Sequence, residues 1–280
     1  MNYKLEQRLL TVKDLNLKYG DKQILRDINL HVDDIVRPEI TQGQVIALLG
    51  PSGAGKTQLF RCLAGLQKPT SGDIFLMDNK PVSAGEIGVV QQAYPLMQHR
   101  TILGNLLLAA KPKYLGTKPG ANQIKKDSKT EALELLERFG LLDKADKYPV
   151  QLSGGQRQRV AIIQQMLSSN HFLLMDEPFS GLDIIAKEKV CELIKEVSAT
   201  DELNTIVFTT HDLASAVQIA DTIWVLGKGL PNEKGEVKSG TTVRATINLI
   251  ELGLAWNRDI DKHPNYLPTI QKLKELFRTL

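Results

Sequence analysis

The sequence lacks any apolar run long enough to cross a lipid bilayer, which takes about twenty consecutive residues. Its apolar stretches VIALLG and NLLLAA are far shorter, and the polar N-terminus MNYKLEQRLLTVKDL has no apolar signal-peptide core. We therefore expect a chain that does not cross a membrane by itself, although it can dock against proteins that do.

Cysteine and clustered positive charge are also scarce. The two cysteines, Cys62 and Cys191, lie far apart and in no metal-ligand spacing, so we expect two reduced, partly buried thiols of a cytosolic protein. The 280 residues carry a formal net charge of only +3 without a long run of lysine or arginine, which argues against a dedicated nucleic-acid binder. Hydrophobic residues make up 42% of the chain, an ordinary share for a soluble globular protein.

The order of the apolar patterns predicts an α/β protein. The compact run QVIALLG ends in a glycine-rich turn before the helical pattern KTQLFRCLAGL, as a buried parallel strand feeding a helix does. HFLLMDE, NTIVFTTH and TIWVLGKG repeat the strand pattern, whereas a block at about 95–165 reads as helical. The sequence therefore predicts a parallel-sheet core interrupted by helices, with a final helix in YLPTIQKLKELFRTL.

Turn and cap residues predict two boundaries. The polar, proline-containing stretch DDIVRPEITQG predicts a surface loop or hairpin. Ser128 followed by Glu131 has the spacing of a capping box, which predicts that a helix begins there and that it ends at Gly140.

The stretch GPSGAGKT has the spacing G-x-x-x-x-G-K-[ST] and lies between an apolar strand and a helix, the context that a phosphate-binding loop requires. Glycines let the backbone wrap round phosphate oxygens, and the helix N-terminus adds a partial positive charge. Lys56 is placed to reach the β- and γ-phosphates, and the Thr57 hydroxyl to bind Mg²⁺. The alternative is a glycine-rich turn that matches by chance. The context favours nucleotide binding by Gly50, Pro51, Ser52, Gly53, Ala54, Gly55, Lys56 and Thr57.

The stretch HFLLMDEP is the natural partner of that loop. Its apolar strand delivers Asp176 to the carboxyl edge of the sheet, where open α/β folds bind ligands. Asp176 would belong to the Mg²⁺ shell, and Glu177 would orient or deprotonate the attacking water. The alternative is a solvated Asp-Glu-Pro turn, which the loop upstream makes the weaker interpretation. His171 is expected to be only a strand-edge residue.

Two adjacent glycines, a serine and two arginines make QLSGGQRQRV look like a second anion site. The phosphate loop, this stretch and LLMDEP, in this order, resemble the ATP-binding subunits of ABC (ATP-binding cassette) transporters, from about residue 9 to 228. Further matches are LKYG with Tyr19, VVQQAYPLMQHRT with Gln92 beside the poorer match Gln91, SGLD with Asp183, and TTHD with His211.

The resemblance gives these residues roles, each with a plainer alternative. Tyr19 would stack on adenine rather than serve as a strand-edge aromatic. Gln92 would contact Mg²⁺ and the attacking water and sense a membrane partner, rather than merely solvate a loop. His211 would donate to the γ-phosphate, and Asp212 is the better candidate for capping the following helix. The expected catalytic residues are Glu177, His211 and Gln92, and the expected metal ligands are Thr57, Gln92 and Asp176.

The resemblance also implies an architecture. The fold would be that of a P-loop NTPase: a RecA-like parallel-sheet core with an N-terminal antiparallel β subdomain and an inserted α-helical subdomain. The cassette would occupy 1–232, with the helical subdomain at about 95–165. Residues 233–280 would form a C-terminal extension that ends in a helix.

In this family two cassettes pair head to tail, which gives QLSGGQRQRV a different purpose. Each ATP would lie between the phosphate loop of one chain and the signature of the other. The residues acting on the partner's nucleotide would be Ser153, Gly154, Gly155, Gln156 and Asp183. The partners implied are a second copy or a paralogous cassette, integral membrane permease subunits and, indirectly, a solute-binding protein. No nucleic-acid partner is expected.

The resulting hypothesis is an ATPase on the cytoplasmic, inner face of the cell membrane that powers a bacterial importer. One alternative is a non-transport cassette protein acting on nucleic acid or the ribosome, but the chain has neither a coiled-coil insertion nor a second cassette. Another is a regulatory nucleotide switch, against which Glu177 argues. The tail resembles those of the nitrate/sulfonate/taurine group, with polar amino-acid import as the close competitor.

Three features depart from the family pattern. VDDIVRPEITQGQVIALLG contains an insertion of several residues, which we interpret as a surface hairpin able to make a contact of its own. AIIQQML replaces the usual A-I-A-R-A-L after the signature, which leaves any arginine-dependent contact there in doubt. Gln98 stands where a proline is frequent, near the expected contact with the membrane partner.

Overall fold

The computed structural model describes residues 3–37, 40, 42–91, 94–115, 121–169, 171–230, 238–257 and 259–280, without the side chains at 78 and 112–126. These residues form two compact units. The first comprises Met1–Ala84 and Leu174–Leu280, and the second comprises Gly85–Leu173. Among the described residues, no helix is both long and apolar enough to cross a membrane.

The first unit alternates strands and helices on either side of the second unit in sequence. Its N-terminal part contains β1 (Lys4–Tyr19), β2 (Lys22–Val36), β3 (Gln44–Leu49), α1 (Lys56–Leu63), β4 (Ser71–Leu76) and β5 (Lys80–Pro81). Its C-terminal part contains α5 (Ile184–Ser198), β8 (Thr205–Thr210), α6 (Leu213–Ile219), β9 (Thr222–Lys228), β10 (Thr241–Asn248) and α7 (Tyr266–Phe277). The boundary between the units falls within β7 (Phe172–Met175).

The sheet of the first unit has a parallel centre and an antiparallel flank, in the order β5-β4-β1-β2-β10-β9-β3-β8-β7. Strand β3 pairs parallel with β8 and with β9, while β1 pairs antiparallel with β2 and β4. Every residue of β3 and β8 is buried, which explains why neither strand alternates apolar and polar residues as a half-exposed strand does. This architecture confirms the predicted α/β class with its antiparallel β region.

The insertion does not form a separate loop at its start. Strand β2 continues to Val36 and pairs with β1 at Lys4↔Val36 and Arg8↔Asp33. The stretch was predicted to be a surface loop or hairpin, and the loop alternative is wrong for residues 33–36: they lengthen the first hairpin, because their backbones pair with β1. An isolated antiparallel bridge between Arg37 and Ile40 follows.

The second unit is mainly helical, with β6 (Gly88–Val90), α2 (Ile102–Leu115), α3 (Ala121–Arg138) and α4 (Gly154–Ser168). Its core is made of buried Leu106, Ala110, Leu136, Ile162 and Ile163, among others.

The predicted start of the helix at Ser128 is wrong. Helix α3 already begins at Ala121, because ANQIKKD contains neither glycine nor proline and continues the helix upstream. The predicted end is confirmed. Gly140 follows the helix with φ +65°, a conformation that suits a glycine at a helix C-terminus.

The C-terminal region is part of the first unit and packs against its sheet and α6. Strand β10, which the sequence patterns did not reveal, pairs antiparallel with β9 along its length. Helix α7 contacts α6, and Leu280 lies so close to Gly227 that a side chain at position 227 would overlap with the leucine. The region also makes the contact that the insertion was expected to allow: the Arg37 guanidinium lies 3.8 Å from the centroid of the Trp256 ring.

Candidate nucleotide site

The phosphate loop connects β3 to α1 in the geometry that its glycines predict. Gly53 and Gly55 have φ values of +82° and +78°, in the left-handed region that favours glycine. At Gly50 the constraint is space, because a Cβ would lie 2.9 Å from the Leu226 carbonyl oxygen. The loop ends at the N-terminus of α1, where free N–H groups and the helix dipole favour an anion.

Lys56 is a buried cation inside the loop. Its Nζ donates to the Gly50 carbonyl at 2.8 Å and to the Pro51 carbonyl at 3.3 Å, and lies 3.5 Å from Oε1 of Glu177. The side chain is only 9% exposed, so its charge acts in a largely desolvated setting where electrostatic attraction is stronger than in water.

The Asp176 carboxylate is brought to the loop by β7. Its Oδ2 accepts a hydrogen bond from the Thr57 hydroxyl at 3.1 Å, and its Oδ1 accepts one from the Thr209 hydroxyl at 2.7 Å. Thr57 and Asp176, predicted from separate motifs, therefore meet. Their hydroxyl and carboxylate oxygens form the hard donor set that Mg²⁺ prefers, so the residues present fit that cation.

Glu177 has a strained backbone and a well-held side chain. Its φ is +49°, a conformation that costs a non-glycine residue about 1–3 kcal/mol and persists only where the surroundings fix it. Its amide donates to the Thr209 hydroxyl at 2.8 Å, and its Oε2 lies 3.1 Å from Nδ1 of His211. The carboxylate thus lies between the cation of Lys56 and the imidazole of His211.

Tyr19 lies at the mouth of the same cleft. The residue is 47% exposed, and its hydroxyl donates to Oε1 of Gln58 at 2.7 Å. The cleft has a volume of about 430 Å³ and is lined by Tyr19, Ile24, residues 52–58, Asp176 and Glu177. An exposed aromatic face beside a phosphate loop suits a nucleobase, and stacking stays a prediction for Tyr19.

Comparison with known proteins assigns the chain to a family. The family model described as ABC transporter matches residues 34–180. The chain is 37% identical over 228 residues to the sulfate/thiosulfate import ATP-binding protein CysA 2 of Rhizobium meliloti, covering 80% of this chain and 59% of that protein. It is also 37% identical over 243 residues to the L-cystine import ATP-binding protein TcyC of Bacillus subtilis, covering 81% and 90%.

The chain belongs to the ABC transporter family. Solved structures agree with this assignment. CbiO1 from Clostridium perfringens, described as part of the ABC transporter complex cbiONQ, has a TM-score of 0.69 at 28% identity over 96% of this chain and 100% of that one. The dimeric bacterial ABC transporter cassette MJ0796 has a TM-score of 0.62 at 28% identity over 86% and 99%. ATP-binding subunits of ABC importers are ATPases, and this chain belongs to their family.

The stretch predicted to be the signature, QLSGGQRQRV, lies in the second unit, at the start of α4. Ser153 is the N-cap, with its hydroxyl accepting from the Gln156 amide at 3.3 Å, while Oε1 of Gln156 accepts from the Ser153 amide at 2.9 Å. This reciprocal pair is a capping box. A Cβ at Gly154 or Gly155 would meet nothing within 4 Å, so packing within the chain does not require either glycine.

Asp183 and Asp212 are helix caps. The Asp183 carboxylate accepts from the Ala186 amide at 2.8 Å and begins α5, where Ile184 and Ile185 are exposed. Asp212 accepts from the Ser215 amide at 3.2 Å and begins α6, so the prediction that Asp212 rather than His211 caps this helix is confirmed. Burial alone would raise the pKa of Asp212, but hydrogen bonds from Lys187 and Ser215 outweigh it and lower that pKa.

The predicted site and the structure differ in coverage at two residues, Gln92 and Thr209. Gln92 lies outside the described residues, so its role stays a prediction. Thr209 was missed, although it binds both carboxylate-bearing residues of the site. The signal for Thr209 in the sequence is its hydroxyl group, since an aliphatic residue would be expected at that position of the apolar strand TIVFTT.

Proposed function

We propose that this cassette hydrolyses Mg-ATP to power an ABC importer at the inner, cytoplasmic face of the cell membrane. The observation that carries the proposal is the placement of Glu177. Its carboxylate lies 3.1 Å from His211 and 3.5 Å from Lys56, beside the phosphate loop. Relatives named as import ATP-binding proteins for sulfate/thiosulfate and for L-cystine support the transport role.

The predicted site residues fall into two groups, those that bind Mg-ATP and those that transfer protons. The loop amides and Lys56 bind the β- and γ-phosphates, and Tyr19 stacks on adenine. Thr57 and Asp176 would hold Mg²⁺, with Gln92 as a third ligand. When bound, Mg²⁺ supplies neutralisation of the phosphate charge. Glu177 orients the attacking water and accepts its proton, while His211 donates to the γ-phosphate oxygens.

The signature serves the ATP held by a second cassette. Gly154 and Gly155 are exposed with open space around each Cβ position, which is what a close approach by another molecule's phosphate would need. Ser153, Gln156 and Asp183 would approach the same nucleotide from the second chain. A two-fold pair makes both sites equivalent, and the dimeric MJ0796 cassette supports this arrangement.

The membrane partners would be permease subunits, fed by a solute-binding protein. The cargo is not contacted by the cassette, so assignment to the nitrate/sulfonate/taurine group stays a prediction beside polar amino-acid import. The named relatives are import subunits, and they give the nucleic-acid alternative no support.

The experiment that tests the proposal changes the expected base. Glu177→Gln should still bind Mg-ATP but lose at least about 100-fold in ATP turnover, because a general base contributes about 10²–10⁴-fold. Pull-down of the unchanged chain from membranes should recover an integral membrane protein. Full turnover in the Glu177→Gln chain would refute the role of Glu177, and recovery of ribosomes or DNA without a membrane protein would refute the transport role.

A further inference from the structure

Thr209 joins the two acidic residues of the ATP site through one hydroxyl group. It lies near the end of β8 and is fully buried, with 0% of its surface exposed. Its Oγ1 donates to Oδ1 of Asp176 at 2.7 Å and accepts from the amide of Glu177 at 2.8 Å. One hydroxyl therefore contacts both residues, each through a short hydrogen bond.

The first of these bonds orients the carboxylate of Asp176. A threonine hydroxyl has one proton to donate, and here that proton goes to the carboxylate of Asp176. With Oδ1 held by Thr209, Oδ2 faces the Thr57 hydroxyl at 3.1 Å. The carboxylate is thus oriented from both sides, toward the residue with which it would share Mg²⁺.

The second bond acts on the backbone of Glu177. That residue has φ +49°, which an ordinary residue keeps only where neighbouring groups hold it. The bond from its amide to Thr209 is such a restraint, and it acts at the residue whose carboxylate lies 3.1 Å from His211. The direction of the Glu177 side chain therefore depends on the Thr209 hydroxyl.

Packing alone does not account for a threonine at this position. All six residues of β8 are buried, and a valine of almost the same shape would fill the space without a hydroxyl to satisfy. Thr205, in the same strand, offers a comparison. It is as fully buried, and its hydroxyl donates to the Leu203 carbonyl at 3.4 Å, away from the carboxylates.

We propose that Thr209 is a positioning residue for ATP hydrolysis, which orients Asp176 toward Thr57 and fixes the backbone of Glu177. This proposal rests on the proposed function. Loss of the hydroxyl should have two separate effects. Mg²⁺ should increase nucleotide affinity by a smaller factor, because Asp176 is no longer held toward Thr57. ATP turnover should be slower, because the backbone of Glu177 is no longer fixed. Nucleotide affinity without Mg²⁺ should not change, because the two bonds are made to the carboxylate-bearing residues and not to the phosphate loop.

The test compares Thr209→Val, Thr209→Ser and Thr205→Val in the full chain. Affinity for a fluorescent ATP analogue is measured with Mg²⁺ and with EDTA, beside kcat, KM and the melting temperature. In Thr209→Val we expect the gain from Mg²⁺ to fall about tenfold, the size of one lost hydrogen bond to a charged group, and kcat to fall about fivefold, the size of one lost hydrogen bond between neutral groups. Affinity in EDTA should stay the same. Thr209→Ser, which keeps the hydroxyl, and Thr205→Val should behave like the unchanged chain.

The outcomes separate this proposal from the one on which it rests. If Thr209→Val kept both kcat and the gain from Mg²⁺ while Glu177→Gln was inactive, the role of Thr209 would be refuted and hydrolysis by Glu177 would stand. If Glu177→Gln hydrolysed ATP at the unchanged rate, both proposals would fall. If Thr209→Val did not fold, the pair Thr209→Ala and Thr209→Ser, which differ only by the hydroxyl, gives the same comparison. Equal loss in that pair would refute the proposal.

Discussion

At the scale of single residues, the surroundings of each carboxylate set its contacts and, for Asp221, its pKa. Glu177 and Asp176 lie at the cleft, where hydroxyl, ammonium and imidazole groups contact them. Asp221 is the opposite case: it is 2% exposed and sits where β9 begins, and its Oδ2 accepts from the Val45 amide at 2.7 Å. Burial raises the pKa of Asp221 from 3.8 to about 7.

This raised pKa predicts how stability depends on pH. Because the unfolded chain releases the Asp221 proton near pH 3.8 and the folded chain only near pH 7, folding retains a proton in between. The free energy of unfolding should therefore contain a term that falls as pH rises from about 4 to 7. Asp221→Asn should flatten that decline and make the chain more stable at pH 8 by roughly 1–3 kcal/mol. Urea unfolding at several pH values measures the slope, and an unchanged slope would contradict the prediction.

At the scale of elements, the insertion and the C-terminal region are joined by one aromatic residue. Trp256 has the Arg37 guanidinium at 3.8 Å from its ring centroid and the Tyr3 ring at 6.4 Å in an edge-to-face arrangement. Arg37 follows the lengthened β2, and Tyr3 precedes β1. Trp256 therefore joins the C-terminal region to the insertion and to the start of β1.

Removing this ring should loosen the C-terminal region. Trp256→Ala should lower the free energy of unfolding by roughly 2 kcal/mol, from lost aromatic packing and the lost cation–π contact. Leu267→Ala is the matched control, since that leucine of α7 is 70% exposed and should contribute little. Urea unfolding followed by circular dichroism measures both. Equal stability of the Trp256→Ala and Leu267→Ala chains would mean that the contact does not hold the region.

The elements also show what local patterns can predict. QVIALLG, GPSGAGKT and LLMDEP were interpreted correctly as strand, loop and strand end, because each carries its signal in adjacent residues. Strand β10, the extension of β2 and the hydrogen bonds of Thr209 depend on partners far away in sequence. The prediction that a helix starts at Ser128 was wrong because the spacing of a capping box also occurs inside helices.

At the scale of the whole molecule, the phosphate loop and the signature belong to different compact units. Within its own unit, Ser153 is explained by the capping box, but the exposed Gly154 and Gly155 are not. A segment shaped for an anion, with space open in front of it, is the reason for proposing that it acts on the nucleotide of another chain.

Mixing two inactive chains tests that claim most directly. Ser153→Arg should keep ATP binding but lose turnover, and Lys56→Ala should lose phosphate binding but keep its signature. In a head-to-tail pair of these two chains, one of the two sites has an intact loop and an intact signature. If half of the dimers are mixed, ATPase activity should return to about a quarter of the unchanged rate. Turnover that stayed absent in the mixture, with both variants folded and the mixed dimer formed, would show that the signature serves its own chain's ATP.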